Sequence, residues 1–458
     1  MLKFGCLKCA EFVSLARPAW TLRFQSLCRS SRKNGLASEL PLCFEKADYT
    51  TEYRNKISRE DQNGDQSNDD VVTPWNVTTN SARGVNYEKV MVQFGCQALD
   101  RDLVTNISNL SKKKAHLMLR RGLFYAHRGL DTILENYQKF GAKTPFYLYT
   151  GRGASSGSLH LGHLIPFMFT KYFQEAFDVP LIIQMTDDEK FLWKDMSLEE
   201  AKKMAINNVK DIIAVGFDPA KTFIFIDTDY ICPALYANML KISKSVTVNQ
   251  VRAIFGFTGK DSVGKISFPA VEVAPCFSSS FPQVFNSRTD VPCLIPCAID
   301  QDPYFRMGCE VAKKLKYAKP STIYSKFLPS LRGVQSKMSS SEPNSCIFMD
   351  DTPNQIRTKI NKYGFSGGRE TMELHKKLGG NCDVDVSFQF LQFFFDDDDE
   401  LEQIRQKYSS GVMLTSELKK ITIGVVQKLV TEFQERRKQV TDETVMEFTK
   451  VRKLAFNY

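Results

Sequence analysis

Long apolar runs are missing from this 458-residue chain: nowhere do about 18 apolar residues follow one another, so no membrane-spanning helix is expected. Regular cysteine spacing is missing too. Twelve cysteines are scattered along the sequence, and the only CxxC, Cys6 to Cys9, stands in a leader without the surroundings of a redox or zinc site. That favours reduced, structural thiols in an intracellular protein over a disulfide framework, with a metal site in the leader as the alternative. Nor is there a broad excess of charge of one sign. The formal net charge is +9, but residues 1–35 hold Lys3, Lys8, Arg17, Arg23, Arg29, Arg32 and Lys33 against the single acid Glu11. The remainder is close to balance, so bulk charge does not argue for nucleic acid, and any such case rests on motifs.

What is present is enough for two or three domains with real cores, since 43% of the residues are hydrophobic. The leader, residues 1–35, is rich in Arg and Ser and is interrupted by Pro18, which resembles a mitochondrial presequence more than a secretory signal. The alternative is an extension without a fold of its own. Residues 58–70, SREDQNGDQSNDD, are too polar to bury a core and read as a linker. Folded structure is expected from near Val71.

From Thr144 onward the pattern alternates strand and helix. Phe146 to Thr150, Pro180 to Met185 and Thr222 to Ile226 read as strands; the segment after Gly162 is helical to about Phe177. Ser197 with Glu200 forms a capping-box signature for a helix expected to run to Gly216. Strand-like stretches return at Val291 to Ile295 and Thr322 to Phe327, and Thr352-Pro353 opens a helix through Ile360. Beyond Asp385, Leu414, Leu418, Ile421, Val425, Leu429 and Phe433 recur at helical spacing, and the acidic run Asp396 to Glu400 reads as a solvated turn or helix start. The expected fold class is therefore α/β: a Rossmann-like parallel sheet forming the catalytic domain, followed by a helical C-terminal domain.

Two short motifs carry chemistry on that frame. The turn Tyr149-Thr150-Gly151-Arg152-Gly153 and the string His160-Leu161-Gly162-His163 follow a strand and open a helix, where free N–H groups face anions beyond the sheet's carboxyl edge. Gly151 and Gly153 allow close approach of a nucleotide, and imidazoles at 160 and 163 can donate hydrogen bonds to phosphate oxygens as charge develops on them. A zinc pair is the alternative for two histidines at this spacing, but no third ligand stands at a recognisable distance, and no metal site is expected. The second motif, Lys337-Met338-Ser339-Ser340-Ser341, offers a compact charge on a flexible stem with hydroxyls beside it, suited to a mobile loop closing over the phosphates of ATP.

The first motif resembles the HIGH signature and the second the KMSKS signature of class I aminoacyl-tRNA synthetases. Around them, TGRGASSGSLHLGHL, IIQMTDDEKFLWKD, GKISFPA, CAIDQDPYFR and SGGRETMELHKKLGGNCDVDVSF resemble the eukaryotic and archaeal type of tryptophan-specific synthetase over roughly residues 71–458. The resemblance implies activation of L-tryptophan by ATP with Mg2+, then transfer to tRNA(Trp), in a cytoplasmic homodimer without membrane contact. It implies that His160, His163 and Lys337 are catalytic, and that Gly151, Arg152, Gly153, His160, Gly162, His163, Lys337, Met338, Ser339 and Ser341 bind ATP. It further implies a tryptophan pocket of Tyr149, Gln184, Glu189, Glu272, Cys297 and Gln301, with Tyr149 toward the indole N–H, Glu189 toward the ammonium and Phe268 in the apolar wall. The implied domains are a leader and linker over 1–70 and an N-terminal extension with a hairpin and helices over 71–143. The catalytic domain follows over 144–360 with a connective insertion at about 227–290, and an anticodon-binding helical domain over 361–458.

Three departures from that pattern stand out. Ala154 replaces a proline, Glu272 replaces a glutamine near the substrate's ammonium, and Thr73 replaces an aspartate in Thr73-Pro74-Trp75-Asn76-Val77, which is otherwise similar to the family's hairpin patch by the active site. A simple edge strand with a structural tryptophan is the alternative for that segment. No helix-turn-helix appendage of the vertebrate kind is seen upstream. Rival functions are the related tyrosine enzyme, a shorter cofactor adenylyltransferase using an HxGH motif, and a catalytically silent binding protein.

Overall fold

The β-branched and aromatic stretches that read as buried strands all enter one sheet. The computed structural model describes residues 70–79, 81–141, 146–154, 156–340 and 342–456. The leader and nearly all of the linker fall outside the described residues, as do Thr144, Ser155 and Ser341. The described residues belong to one compact unit spanning 67–458.

Eleven strands are described: β1 (Val71–Val72), β2 (Val77–Thr78), β3 (Gln97–Ala98), β4 (Phe124–Arg128), β5 (Tyr147–Arg152), β6 (Leu181–Met185), β7 (Thr222–Ile226), β8 (Cys293–Ala298), β9 (Ser321–Ser325), β10 (Pro329–Ser330) and β11 (Gly333–Lys337). Seven form the central sheet in the order β3-β4-β9-β8-β5-β6-β7. The five from β9 to β7 are parallel, whereas β3 and β4 pair antiparallel at the edge. Those two strands come from the 71–143 segment, so the N-terminal extension contributes to the sheet as well as standing beside it. β6 and β7, LIIQM and TFIFI, are buried at every position, which is why they read as continuous apolar runs rather than alternating ones.

The chain builds β5, β6 and β7 outward on one side and then crosses to β8 and β9 on the other. Adjacent strands β5 and β8 thus diverge into connections on opposite sides, leaving a crevice beyond their carboxyl ends. A second, smaller sheet, β1-β2-β11-β10, sits at that edge and pairs Thr78 of β2 with Ser336 of β11.

Helix limits follow local capping. Ser197 accepts from the Glu200 N–H at 3.2 Å and Glu200 returns a bond to the Ser197 N–H at 2.9 Å, starting the helix Leu198–Ile213. It ends three residues before Gly216, whose φ of 96° closes the turn instead. Thr352 and Gln355 make the same reciprocal cap for Pro353–Tyr363. In the C-terminal helix Thr415–Lys438 the buried stripe is Leu418, Thr422, Val426, Val430 and Phe433; the expected Ile421, Val425 and Leu429 lie half-buried along its flank. The acidic run does start a helix, Asp398–Ser409, but Asp398 is no free solvated charge: it pairs with Arg120 and Arg121, each at 2.7 Å. Phe390, Val426 and Val430 share one apolar core with Phe167 and Ile183, so the helical segment is packed onto the sheet's helical layer.

Candidate active site

Four parallel strands deliver polar residues to one cavity of about 320 Å³ beyond their carboxyl ends. β5 brings Thr150, Gly151 and Arg152, followed by Gly153; β6 leads to Thr186 and the helix Asp187–Trp193, bearing Glu189 and Lys190. β8 brings Cys297 and Ala298, then Asp300 and Gln301, and β9 leads to Lys326 and Phe327. The helix Val263–Val273 closes one side with Phe268 and Glu272.

The helix Leu161–Phe177 starts at this cavity, with His160 as its N-cap residue. The two imidazoles stack with centroids 3.3 Å apart, and His163 Nδ1 accepts from the His160 N–H at 3.3 Å. Both ring nitrogens of His160 are buried without a partner among the described residues. Burial, with the nearby charges of Arg152 and Lys337, holds both imidazoles well below their usual pKa, so they are neutral at physiological pH. A neutral imidazole here donates one N–H and carries no charge of its own.

The segment that follows the second motif is stitched to the first through backbone. Leu161 N–H donates to Ile347 O at 3.0 Å, Met349 N–H to Leu159 O at 2.8 Å, and His160 bridges Phe348 antiparallel. Gly162 permits this closeness: a Cβ there would stand 3.1 Å from the His160 ring and 3.4 Å from Met338 Cβ. Lys337, at the end of β11, lies 2.6 Å from Asp300 Oδ2, and Asp300 Oδ1 is a buried atom without a partner. Ser339 and Ser340 follow in the loop, while Ser341 lies outside the described residues.

Arg152 donates from Nε to Asn208 Oδ1 at 2.9 Å and leaves Nη2 unpartnered; burial lowers its pKa to about 10, against the pull of Asp211 and Glu189. Glu189 Oε2 lies 2.9 Å from Lys190 Nζ and accepts from Thr186 Oγ1 at 3.0 Å. Burial first, then Glu189 and Asp188, raises the Glu272 carboxyl to about 8.

Of the expected tryptophan pocket, Glu189, Glu272, Cys297, Gln301 and Phe268 border the cavity. Tyr149 and Gln184 do not; they stand behind its wall in a buried chain. The Tyr149 O–H donates to Gln184 Oε1 at 2.5 Å with the Glu272 carbonyl 3.0 Å away, and Gln184 Nε2 donates to Asp227 at 2.8 Å and 2.9 Å. Burial and a hydrogen bond with Asp188 hold Asp227 above the usual carboxylate range.

The hairpin segment belongs to the site. Pro74 borders the cavity, and Thr73 closes the turn by accepting from the Asn76 N–H at 3.0 Å, as an aspartate side chain would. Trp75 stacks on Trp193, centroids 5.6 Å apart, and leans on Phe255 and Phe257. Asp300, Lys190 and Lys326 border the cavity without having been assigned roles from sequence. The acidic string following an apolar strand, Ile299-Asp300-Gln301-Asp302, was the available signal for the first.

Residues 142–431 match the family model described as tRNA synthetases class I (W and Y). The chain is 57% identical over 395 residues to the cytoplasmic tryptophan–tRNA ligase of Bos taurus, covering 86% of this chain and 82% of that protein. It is 52% identical over 380 residues to that of Schizosaccharomyces pombe, covering 82% and 95%. Among solved structures, the tryptophanyl-tRNA synthetase of Encephalitozoon cuniculi bound to tryptophan superposes with a TM-score of 0.75 at 44% identity, over 81% of this chain and 99% of that one.

Proposed function

The chain belongs to the class I tRNA synthetases of the tryptophan and tyrosine type, and from that premise we propose that it is a tryptophan–tRNA ligase. It activates L-tryptophan with ATP to tryptophanyl-adenylate and then transfers the tryptophanyl group to tRNA(Trp). The observation that carries this reading is the convergence of the His160–His163 helix start, Lys337 and the Glu189–Glu272 pair on a single cavity.

In the first step a tryptophan carboxylate oxygen attacks the α-phosphorus of ATP and pyrophosphate leaves. No side chain need become a nucleophile; the residues position the reactants and stabilise charge. Neutral His160 and His163 would donate to phosphate oxygens, with Gly151, Arg152, Gly153 and Gly162 shaping the approach. Lys337 would exchange Asp300 for the departing pyrophosphate, helped by Met338, Ser339 and Ser341. At the other end Glu189 and Glu272 would take the ammonium, Gln301 the remaining polar contacts, and Cys297 and Phe268 the ring. Tyr149 would meet the indole N–H by giving up one of its present contacts, with Gln184 holding it from behind. Among the described residues no group of three His, Cys, Asp or Glu could hold a metal ion, so Mg2+ is proposed to arrive with the phosphates of ATP.

Residues 361–458 are proposed to read the anticodon. A homodimer is proposed through 227–290, where Tyr236 and Leu240 are exposed on the helix Pro233–Ser245 and Val248 on the next. Among the described residues no helix is long and apolar enough to cross a membrane. The Bos taurus and Schizosaccharomyces pombe relatives are cytoplasmic enzymes, and we propose the same for this chain; fusing residues 1–35 to a fluorescent protein tests the mitochondrial alternative.

The deciding experiment is amino-acid-dependent ATP–pyrophosphate exchange across all the standard amino acids. Exchange driven by tryptophan alone is expected, and exchange driven by tyrosine would overturn the substrate assignment. Lys337→Ala should lower exchange by about 100-fold or more with the fold intact, in the range of losing one positioned charge at a transition state; unchanged exchange would overturn the role given to the second motif.

A further inference from the structure

The floor of the cavity holds two carboxyls and one ammonium. Glu189 is engaged by Lys190 and Thr186, whereas Glu272 on the helix Val263–Val273 makes no ion pair among the described residues. Its Oε1 stands 3.7 Å from where a Cβ on Gly151 would lie, facing the same space as the Tyr149 hydroxyl. The groups around it are lopsided in sign. Glu189, Asp188 and Lys190 face it from the helix Asp187–Trp193, Tyr149 from β5, Asp227 from the end of β7, Cys276 from the turn after its own helix, Cys297 from β8 and Tyr304 from the helix Asp302–Leu315. Among the described residues named here Lys190 is the single cation, and Glu189 already holds it.

We propose that Glu272 is a proton-linked half of the substrate-amine site: it carries a proton when the cavity is free, and releases that proton to solvent when the amino acid's ammonium docks between Glu272 and Glu189. This rests on the reading that the amino acid binds here, and goes beyond it by assigning a specificity-determining residue whose charge is created by the substrate. In balance, a neutral carboxyl and an alkylammonium become a carboxylate–ammonium pair and one solvated proton. The arrangement spares the empty site an unpaired carboxylate on Glu272 beside Glu189, whose one cation, Lys190, is already engaged, a charge that burial makes costly.

The sign follows from the raised carboxyl, at about 8. Below that pH the proton must be expelled before the ammonium binds, so affinity falls about tenfold for each pH unit; above it the dependence levels off. An amine-free analogue such as indole-3-propionate has no ammonium to offer and should bind without releasing a proton.

The test is calorimetric titration of the full chain with L-tryptophan and with indole-3-propionate. Buffers of different ionisation enthalpy at pH 7 count the protons released, and dissociation constants are measured from pH 6 to pH 8. Wild type should release close to one proton per tryptophan and tighten by more than tenfold across that range, while Glu272→Gln should bind tryptophan with little pH dependence and no proton release. Tryptophan binding in wild type with a flat profile and no proton release overturns the inference without help from the variant. So does a Glu272→Gln variant, folded by circular dichroism, that keeps the wild-type slope. Failure of tryptophan to bind wild type at any pH overturns the proposed function together with this inference, and is thereby told apart from a flat profile.

Discussion

Arg128→Met should destabilise the protein more than Asp302→Asn, although both break the same ion pair. Asp302 opens the helix after the Asp300-Gln301 turn and is fully buried. Arg128 Nη2 reaches Asp302 Oδ1 at 2.7 Å and also donates to Phe94 O at 2.8 Å, with Nη1 donating to Gly95 O at 3.3 Å. Removing the guanidinium strands a buried carboxylate, a change that costs about 3–5 kcal/mol in comparable pairs. The Tyr324 hydroxyl at 2.6 Å, Arg306 at 3.8 Å and the helix start still favour the negative charge, which puts the expected loss near the lower limit, about 3 kcal/mol. Asp302→Asn instead leaves a guanidinium that is 22% exposed and keeps its two carbonyl partners, so about 1–2 kcal/mol is expected. The double variant should cost less than the two losses together by about 1–3 kcal/mol, since the second change removes the charge stranded by the first. Urea unfolding followed by circular dichroism for all four proteins measures this. Equal losses for the two single variants, or strict additivity in the double, would refute the claim that the buried carboxylate is the expensive partner.

Gly153→Ala should raise the tryptophan KM while leaving thermal stability nearly unchanged, because the new Cβ would fall 2.1 Å from Glu189 Oε2 and 2.4 Å from Lys190 Cε, flexible ends that yield by swinging away from the site. An unchanged KM would mean that the Glu189–Lys190 pair is not held where the substrate needs it. Thr352→Ala removes both the N-cap bond and the hydroxyl contact to Gln355, and should cost about 1 kcal/mol in urea unfolding. Asp398→Asn addresses pH. Burial opposes its charge, but Arg120 and Arg121 prevail and hold the carboxyl below its usual range. Its contribution is therefore present above the ordinary carboxylate range and lost as pH falls through the lowered value. The wild-type advantage over the variant should be about 1 kcal/mol at pH 7 and vanish in acid, Asp398 being 41% exposed; an advantage that persists or grows in acid would reverse this assignment.

How much of this molecule could be read from its sequence divides along contact range. β7 was legible to the residue, Thr222–Ile226, because five successive buried positions between a helix and an acidic stop admit little else. The Ser197–Glu200 cap and the Thr352-Pro353 helix start were legible because their signals sit within one turn; the return bond from Gln355 to Thr352 was not read. β3 and β4 were not, since an exposed two-residue strand and a mostly buried five-residue one gain their strand identity from pairing with each other and, through β4, with β9. The apolar recurrence of the last long helix was legible, but not which positions it buries deepest, because two surfaces share it, the helix Pro353–Tyr363 and the helix Val386–Phe394.

The site divides the same way. That His160, His163 and Lys337 meet at one cavity could be anticipated because each motif is continuous in sequence, but the contacts around them are not. Asp300 holds Lys337 from the turn after β8, and burial, reinforced by Arg152 and Lys337 across the cavity, lowers both imidazole pKa values. Neutrality matters for what the pair can do. A protonated imidazole would attract ATP phosphates in the ground state and the transition state alike, whereas a neutral N–H strengthens its bond only as charge grows on the oxygen it faces. On the proposed function, burial of two histidines beside Arg152 and Lys337 would supply, from residues scattered over the chain, a donor biased toward the reacting state. Under the proton-linkage proposal Glu272 would obey the same logic with the opposite sign, its charge suppressed until the ligand that requires it arrives.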